Sequence, residues 1–431
     1  MIPTLRTRFN ASFAPEKYSS LLDALERASG LRAGFRVAET PVFVPLRTLE
    51  TMAEAGADLT RRLIGDQAYL EAARLAIPEG YLVGGETAHP NFLTADFALV
   101  KGKEGNLEPR LVEIQAFPSV YGFQAALCQA YRAAFDLQSW SDCGPASGLG
   151  CFLSGLDEEG YWELLGRTIL GDCAPEEVVL TEVDPLHQKT RPDFEITARR
   201  LGIAVQDISA LSSTGNTLRF RAADGREMPI KRIYNRAIAD ELIARKIHLG
   251  FDLSREWDVQ WAGHPNWYFL ISKFSIPWLS KPPHAHAVVP PAVFLDEFLE
   301  GRGRAQLEEQ GVPLLPDSGP DTVYSELLLK PLFSFAGKGI RFDPTRGELE
   351  AIPRAQRREF LLQQRMQFAH TVDTPWGLTQ AEFRILYLWP DGGALTSVLS
   401  LVRLGRGKMM GVDFNKNQEW VGASAAFFPL D

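Results

Sequence analysis

The chain has 431 residues, a formal net charge of −9, a hydrophobic share of 45% and a charged share of 23%. This length suffices for two or three domains, and the composition is that of a soluble protein with a sizeable core. The acidic balance argues against a surface that coats nucleic acid, but it is compatible with a local basic pocket for phosphates.

The sequence also indicates a compartment. The cysteines form no CxxC pair, which favours reduced thiols over a disulfide framework. The N-terminus lacks the apolar core of a signal peptide. The longest apolar run, 267–279, is interrupted by Lys273 and is too short to span a bilayer. We therefore expect a cytoplasmic protein with neither a membrane nor a nucleic-acid partner.

The first 90 residues predict helices, and the next segment predicts a hairpin. Residues 18–31 and 46–75 carry apolar side chains at helical spacing, which indicates packing. Residues 92–100 and 110–117 are strand-like runs joined by a polar loop. They place Asp96, Glu113 and Gln115 in apolar surroundings, with the last two on one face. Either this face meets water, or the three oxygens converge on Mg²⁺.

The middle of the chain predicts a small α/β unit. A helix is expected at 119–134, and residues 141–160 are rich in Gly, Ser and Asp, as at a domain boundary. Strand patterns at 177–182, 202–207 and 230–235 alternate with a helical pattern at 191–201, which favours parallel strands. Asn235 and Arg236 end a strand and are either substrate-site residues or part of a surface ion pair.

Two later segments bring lysines. Residues 267–279 predict a helix with Lys273 among apolar residues, either as a snorkelling side chain or as a phosphate ligand. Residues 327–341 read LLLKPLFSFAGKGIR, a buried strand that ends with Lys330 and leads to Gly337, Lys338 and Gly339. This spacing fits neither a P-loop nor a dinucleotide fingerprint. The alternatives are a plain hairpin turn and a glycine flap over phosphates.

The C-terminal segments predict a strand at 361–366 and a hairpin of strands at 381–387 and 397–403. Arg384 and Arg403 could face one cleft, where guanidiniums stabilise phosphate charge, or each could pair with a surface carboxylate. Residues 411–428 follow with Asn417.

Several of these motifs resemble one family. KPLFSFAGKGI is similar to the KPL-x-S-x-x-G-x-x-V/I segment of the ATP-grasp proteins related to glutathionylspermidine synthase. The family's paired D-F and E-x-N strands, its lysine helix, its E-x-R strand and its N-x-x-x-x-G tract resemble segments that contain Asp96, Glu113, Ser272–Lys273, Glu382 and Asn417. The order of these motifs along the chain carries more weight than any one of them.

The resemblance implies an α/β (α+β) fold, namely a circularly permuted ATP-grasp with a small parallel α/β pre-ATP-grasp domain. The expected domains are 1–140, with N-terminal helices and the acidic hairpin, 141–262, the pre-ATP-grasp unit, and 263–431, the nucleotide-binding region. Two departures from the family concern the site: Gln115 replaces an asparagine, and Thr94 stands where an arginine often precedes the aspartate.

The resemblance also implies cofactors and roles. ATP would be held by Lys273, Lys330, Gly337, Lys338, Gly339, Gln363 and Gln364, and Mg²⁺ by Asp96, Glu113 and Gln115. Arg384, Arg403 and Asn417 would act in catalysis. The implied function is an ATP-dependent carboxylate–amine ligase with small-molecule substrates. The alternatives are an inactive ATP-binding scaffold or sensor, suggested by the two departures, and a small-molecule kinase.

Overall fold

The computed structural model describes residues 1–140, 148–333, 337–411, 415 and 417–430. The predicted boundary at residue 141 therefore lies outside the described residues. The α-helices span Pro3–Ser12 (α1), Pro15–Ser29 (α2), Leu46–Ile64 (α3), Gln67–Arg74 (α4), Tyr121–Phe135 (α5), Glu158–Leu170 (α6), Arg191–Leu201 (α7), Ala239–Ala244 (α8), Trp267–Leu270 (α9), Ser275–Leu279 (α10), Leu295–Leu299 (α11), Arg302–Glu309 (α12) and Arg346–Glu350 (α13).

The strands that the structure describes form four sheets. In chain order they are Val42–Phe43 (β1), Phe92–Lys101 (β2), Leu107–Gln115 (β3), Leu149–Gly150 (β4), Val178–Glu182 (β5), Ala204–Asp207 (β6), Ser212–Thr214 (β7), Thr217–Arg221 (β8), Glu227–Pro229 (β9), Arg232–Asn235 (β10), Gln260–Ala262 (β11), Ala292–Phe294 (β12), Leu327–Pro331 (β13), Arg341–Phe342 (β14), Phe360–Gln364 (β15), His370–Thr374 (β16), Gly377–Leu388 (β17), Thr396–Gly405 (β18) and Gly422–Pro429 (β19).

The main sheet joins the two ends of the chain. Its strand order is β1-β19-β18-β17-β2-β3, so the predicted hairpin β2–β3 pairs antiparallel with the C-terminal strand β17. One face packs against α3, with Ala95 and Phe97 in the same core as Leu59. Asp96, which lies between those two apolar residues, therefore projects from the opposite face.

That opposite face changes from apolar to charged along β17. Leu386 and Leu388 pack in the core that contains α5, whereas Glu382 and Arg384 continue the same alternation with charged side chains. The sheet thus presents charges at one end of a face whose other end is buried by helices.

The predicted small α/β unit is present. Its sheet has the order β11-β10-β5-β6, and every pairing in it is parallel. The helix α7 connects β5 to β6, as the alternating pattern predicted. Thr181 and Asn235 are register partners near the carboxyl ends of their strands.

A second antiparallel sheet has the order β12-β15-β13-β14 and carries Lys330. Leu327 and Leu329 pack with α11 and α12 on one side. Lys330 alternates with them and therefore projects from the other side, on which Leu361 joins the core of the main sheet. The second sheet is thereby packed against the first.

The predicted helix at 267–279 is interrupted. The structure has two short helices, α9 and α10, with Lys273 in the turn between them. A continuous helix would bring the Pro277 ring against the Lys273 carbonyl and remove a hydrogen bond. Ser272 stabilises the turn, because its hydroxyl accepts from the Phe274 N–H at 3.2 Å. Among the helices that the structure describes, none is long and apolar enough to cross a membrane.

Candidate functional site

Asp96 is the centre of the site. On the main sheet its register partners are Glu113 on β3 and Arg384 on β17. Arg384 donates to both carboxylate oxygens of Asp96, from Nε at 2.6 Å and from Nη2 at 2.7 Å. The Asp96 side chain is 1% exposed. Burial alone would raise the pKa of Asp96, but Arg384 and Arg403 outweigh burial and hold it below its usual value.

Arg403 closes the other side of Asp96. Its Nη2 contacts Asp96 Oδ2 and also lies 2.9 Å from Oε1 of Glu382, its register partner on β17. Burial raises the pKa of Glu382 to about 7, against the opposing effect of Arg403. The Nε atom of Arg403 is buried without a hydrogen-bond partner among the described residues.

Glu113 extends the network toward the turn between α9 and α10. Its Oε1 lies 3.5 Å from Arg384 Nη2, and its Oε2 lies 3.8 Å from Lys273 Nζ. Lys273 is 4% exposed, so its ammonium group is buried and does not extend to solvent as a snorkelling side chain would. Both Glu113 oxygens thus face cations.

Lys330 lies on β13 of the second sheet. Its ammonium donates to the backbone oxygen of Val112 at 3.2 Å, at the bulge in β3 beside Glu113. Burial lowers the pKa of Lys330 to about 8, with Glu113 opposing and Lys273 reinforcing that shift. Among the described residues, no carboxylate forms an ion pair with Lys330, so its buried charge has a single backbone acceptor.

These contacts define one charged cluster at the junction of the two sheets. It combines parts of β2, β3, β13, β17, β18 and the turn between α9 and α10. Its members are Asp96, Glu113, Lys273, Lys330, Glu382, Arg384 and Arg403.

The other predicted nucleotide-binding residues belong to β15 of the second sheet or to the segment between β13 and β14. Gly337 and Gly339 have φ of 71° and 80°, which glycine adopts readily, and Lys338 between them is exposed. Gln363 is fully buried, and neither atom of its amide has a hydrogen-bond partner among the described residues. By alternation Gln363 shares the inward face with Lys330, whereas Gln364 bonds through its backbone N–H to Pro291.

The remaining predicted residues differ in their relation to the cluster. Gln115 pairs with Thr94 and shares the face of Glu113. Asn417 is exposed, and no hydrogen bond or ion pair in the described part of the chain joins it to the cluster. Its neighbour Asn415 is buried instead, and its amide donates to Met409 and Gly411 backbone oxygens at 3.0 and 3.2 Å.

The predicted Mg²⁺ ligands do not fit a metal as they are arranged. Both oxygens of Asp96 accept from arginines, and both oxygens of Glu113 face Arg384 or Lys273. In the ranges that the structure describes, no group of three or more His, Cys, Asp or Glu residues could hold a metal ion. The oxygen donors have the right chemistry for Mg²⁺, but their charge is already compensated.

Arg236 lies outside the cluster and has a structural contact. Its Nη1 donates to the Pro118 oxygen at 2.5 Å, just after β3, and Glu182 and Asp193 lie 3.6 and 3.4 Å from its guanidinium. The side chain is 3% exposed, which excludes the surface ion pair weighed from the sequence. The hydrogen bond from Arg236 to Pro118 thus links the parallel sheet to the segment after β3.

The sequence interpretation assigned no role to Glu382, which the structure places in the cluster. Its signal was the E-x-R pattern, because alternation puts Glu382 on the same strand face as Arg384. The backbone oxygen of Val112 was also missed, and nothing in the sequence marks it, since it depends on a bulge between the register pairs at Asp96 and Phe97.

Comparison with known proteins identifies the fold. A glutathione synthetase-like effector from Globodera pallida, solved in its apo form, matches with a TM-score of 0.52 and 12% sequence identity. The match covers 96% of this chain and 97% of the effector chain. No family model and no curated protein matches the sequence. The chain therefore shares a glutathione synthetase-like fold over nearly its whole length.

Proposed function

We propose that the protein is an ATP-dependent carboxylate–amine ligase with a circularly permuted ATP-grasp arrangement. The observation that carries the proposal is the meeting of Lys330, from the second sheet, with Glu113 and the arginines of the main sheet. Segments more than 200 residues apart supply this cluster. The glutathione synthetase-like fold supports the same reaction class.

In the proposed reaction, a substrate carboxylate oxygen attacks the γ-phosphorus of ATP, and the bond to the bridging oxygen breaks to release ADP. An amine then attacks the acyl carbon, phosphate leaves and the amine loses a proton. Lys273, Lys330 and the 337–339 loop would hold phosphates, while Gln363 and Gln364 would lie near the base. Arg384, Arg403 and Asn417 would act in catalysis, with the two guanidiniums neutralising the acyl phosphate.

The protein's contribution is electrostatic and positional. Among the described residues, buried Lys330 is held by a single backbone oxygen and by no carboxylate, so it can turn to a phosphate without breaking an ion pair with any of them. Because the carboxylates of Asp96 and Glu113 are engaged by cations, no step of the proposed reaction is assigned to a metal held by them.

Measuring ADP release tests the proposal. The purified protein is supplied with ATP, hydroxylamine as a trap for acyl phosphate, and pools of small carboxylates. We expect carboxylate-dependent ADP and a hydroxamate product, both lost in Lys330→Met. If the protein binds ATP but no pool stimulates ADP release, the ligase proposal is wrong.

One observation favours a second candidate, an ATP-binding scaffold without turnover. Asp96 is held by two arginines, and Thr94 stands where the resembling family often has a further arginine. A scaffold binds ATP without consuming it, whereas a kinase would leave a stable phosphorylated product. The same assay, with product analysis, separates the three functions.

A further inference from the structure

The charge balance of the cluster points to direct anion binding. Among the described residues its carboxylates are Asp96, Glu113 and Glu382, and its cations are Lys273, Lys330, Arg384 and Arg403. Counting Asp240, whose charge interacts with Lys273, would only make the two signs equal. No surplus carboxylate is left for Mg²⁺, which proteins bind through one or two carboxylates besides substrate phosphates and waters.

Two cations of the cluster carry donors that are not fully used. Lys330 has one backbone acceptor and no carboxylate partner, and Arg403 Nε has no acceptor among the described residues. A buried charge or donor left in this condition costs free energy that an incoming acceptor recovers. Phosphate oxygens are such acceptors, and lysine and arginine bind them strongly. The donors of Lys330 and Arg403 therefore need acceptor atoms, which phosphate supplies and a metal ion does not.

The carboxylates already have another use. Asp96 fixes the planes of Arg384 and Arg403, and Glu113 fixes Lys273 beside Arg384. Arg384 contacts both Asp96 and Glu113, and Arg403 contacts both Asp96 and Glu382. Two charge partners restrict the rotamers of a guanidinium, so that its remaining N–H groups keep a defined direction. In this arrangement the acids position cations instead of binding metal.

We propose that this cleft binds the triphosphate of its nucleotide directly through Lys330, Lys273 and Arg403, and that Asp96 positions Arg403 and Glu113 positions Lys273 without either carboxylate holding Mg²⁺. This inference rests on the proposed nucleotide site but not on ligase turnover. It predicts that triphosphate binding does not require a divalent metal, and that neutralising a cluster carboxylate without changing its shape strengthens that binding.

Glu113→Gln gives the sharpest test, because the two interpretations predict opposite signs. The substitution conserves shape and removes one negative charge close to Lys330 and Lys273. If Glu113 repels phosphate, the affinity for inorganic triphosphate in EDTA rises by about threefold to tenfold. If Glu113 is a metal ligand, the affinity for ATP with Mg²⁺ falls. Glu108→Gln is the matched control, because Glu108 lies on the same strand β3 but pairs with Arg110 outside the cluster, at 2.8 Å; it should change neither affinity.

Isothermal titration calorimetry measures these affinities for the wild type, Glu113→Gln and Lys330→Met. We expect wild-type binding of inorganic triphosphate and of ATP in EDTA, within about threefold of the value with Mg²⁺, and none in Lys330→Met. Water-proton relaxation with Mn²⁺ alone should show no bound metal. A strict metal requirement, weaker binding in Glu113→Gln, tight Mn²⁺ binding, or no triphosphate binding would each overturn the inference.

The outcomes also separate this inference from ligase activity. Metal-free binding without carboxylate-dependent ADP release would remove the ligase proposal and leave direct binding intact. Carboxylate-dependent turnover with an absolute metal requirement for binding would do the reverse. Circular dichroism of each variant confirms that it is folded before its affinity is compared.

Discussion

Replacing Arg384 with methionine should destabilise the protein through a buried charge. Arg384 donates two hydrogen bonds, at 2.6 and 2.7 Å, to Asp96, whose side chain is 1% exposed. Removing one partner of a buried pair costs about 3–5 kcal/mol, because the other charge stays uncompensated. Arg403 still contacts Asp96, so we expect the lower end, about 3 kcal/mol.

The pH dependence identifies the cause. In the wild type the arginines hold the Asp96 pKa below its usual value, so this pair stabilises the fold above the unfolded pKa and is lost as the pH falls through the folded pKa. Without Arg384, burial raises the pKa of Asp96, and protonation then relieves the unpaired charge. The destabilisation by Arg384→Met should therefore be smaller at pH 5 than at pH 7.

Urea denaturation followed by tryptophan fluorescence measures this difference at both pH values. Arg226→Met is the matched control, because Arg226 pairs with Asp224 at 2.7 Å but is 71% exposed, and such pairs contribute about 0–1 kcal/mol. Adding Asp96→Asn to Arg384→Met should recover part of the lost stability. Equal losses at both pH values, or no recovery in the double variant, would refute a buried-charge mechanism.

Three further perturbations test other parts of the structure. Glu382→Gln should raise stability at pH 8 but not at pH 5. The pKa of Glu382 is about 7 in the folded protein, so at a pH above its unfolded pKa the ionisation of Glu382 opposes folding. Urea denaturation midpoints at both pH values measure this difference. Arg236→Met should lower the unfolding free energy by about 3 kcal/mol or more, since it leaves Glu182 and Asp193 without their cation; a change under 1 kcal/mol would contradict this. Gly56→Ala should destabilise the protein by more than about 1 kcal/mol, because the added Cβ would lie 2.2 Å from the Tyr387 hydroxyl. Gly166→Ala should stabilise it by about 0.5–1 kcal/mol, because the nearest atom to its Cβ is 3.4 Å away and alanine favours the helix. Thermal unfolding shows whether the two variants shift the melting temperature in these opposite directions.

Local patterns in the sequence predicted much of the secondary structure. The helix at 18–31 appears as α2, the hairpin at 92–117 as β2 and β3, and the alternating segment at 177–235 as a parallel sheet. Each of these depends on periodicity or turn residues within a short stretch. The break near Lys273 was also within reach, because Pro277 forbids the continuous helix that the apolar spacing suggested.

The contacts that define the site were not predictable in the same way. The pairing of Asp96 with Arg384 depends on the register between β2 and β17, which lie 288 residues apart in the chain. A shift of that register by one residue would put Arg384 opposite an apolar side chain. The sequence shows which residue types are present on each strand, but not which of them face one another.

The register also changes what the residues mean chemically. Taken separately along the chain, Asp96 and Glu113 predict a metal site, Lys273 and Lys330 a phosphate site, and Arg384 and Arg403 a transition-state site. The structure joins five of the six through ion pairs and brings Lys330 near Glu113, so each carboxylate orients a cation assigned to another task. Loss of activity in a single variant therefore cannot assign a role to the residue replaced. The direction of the change in triphosphate affinity can assign that role. Neutralising a metal ligand lowers this affinity, whereas neutralising a carboxylate that holds no metal and repels phosphate raises it.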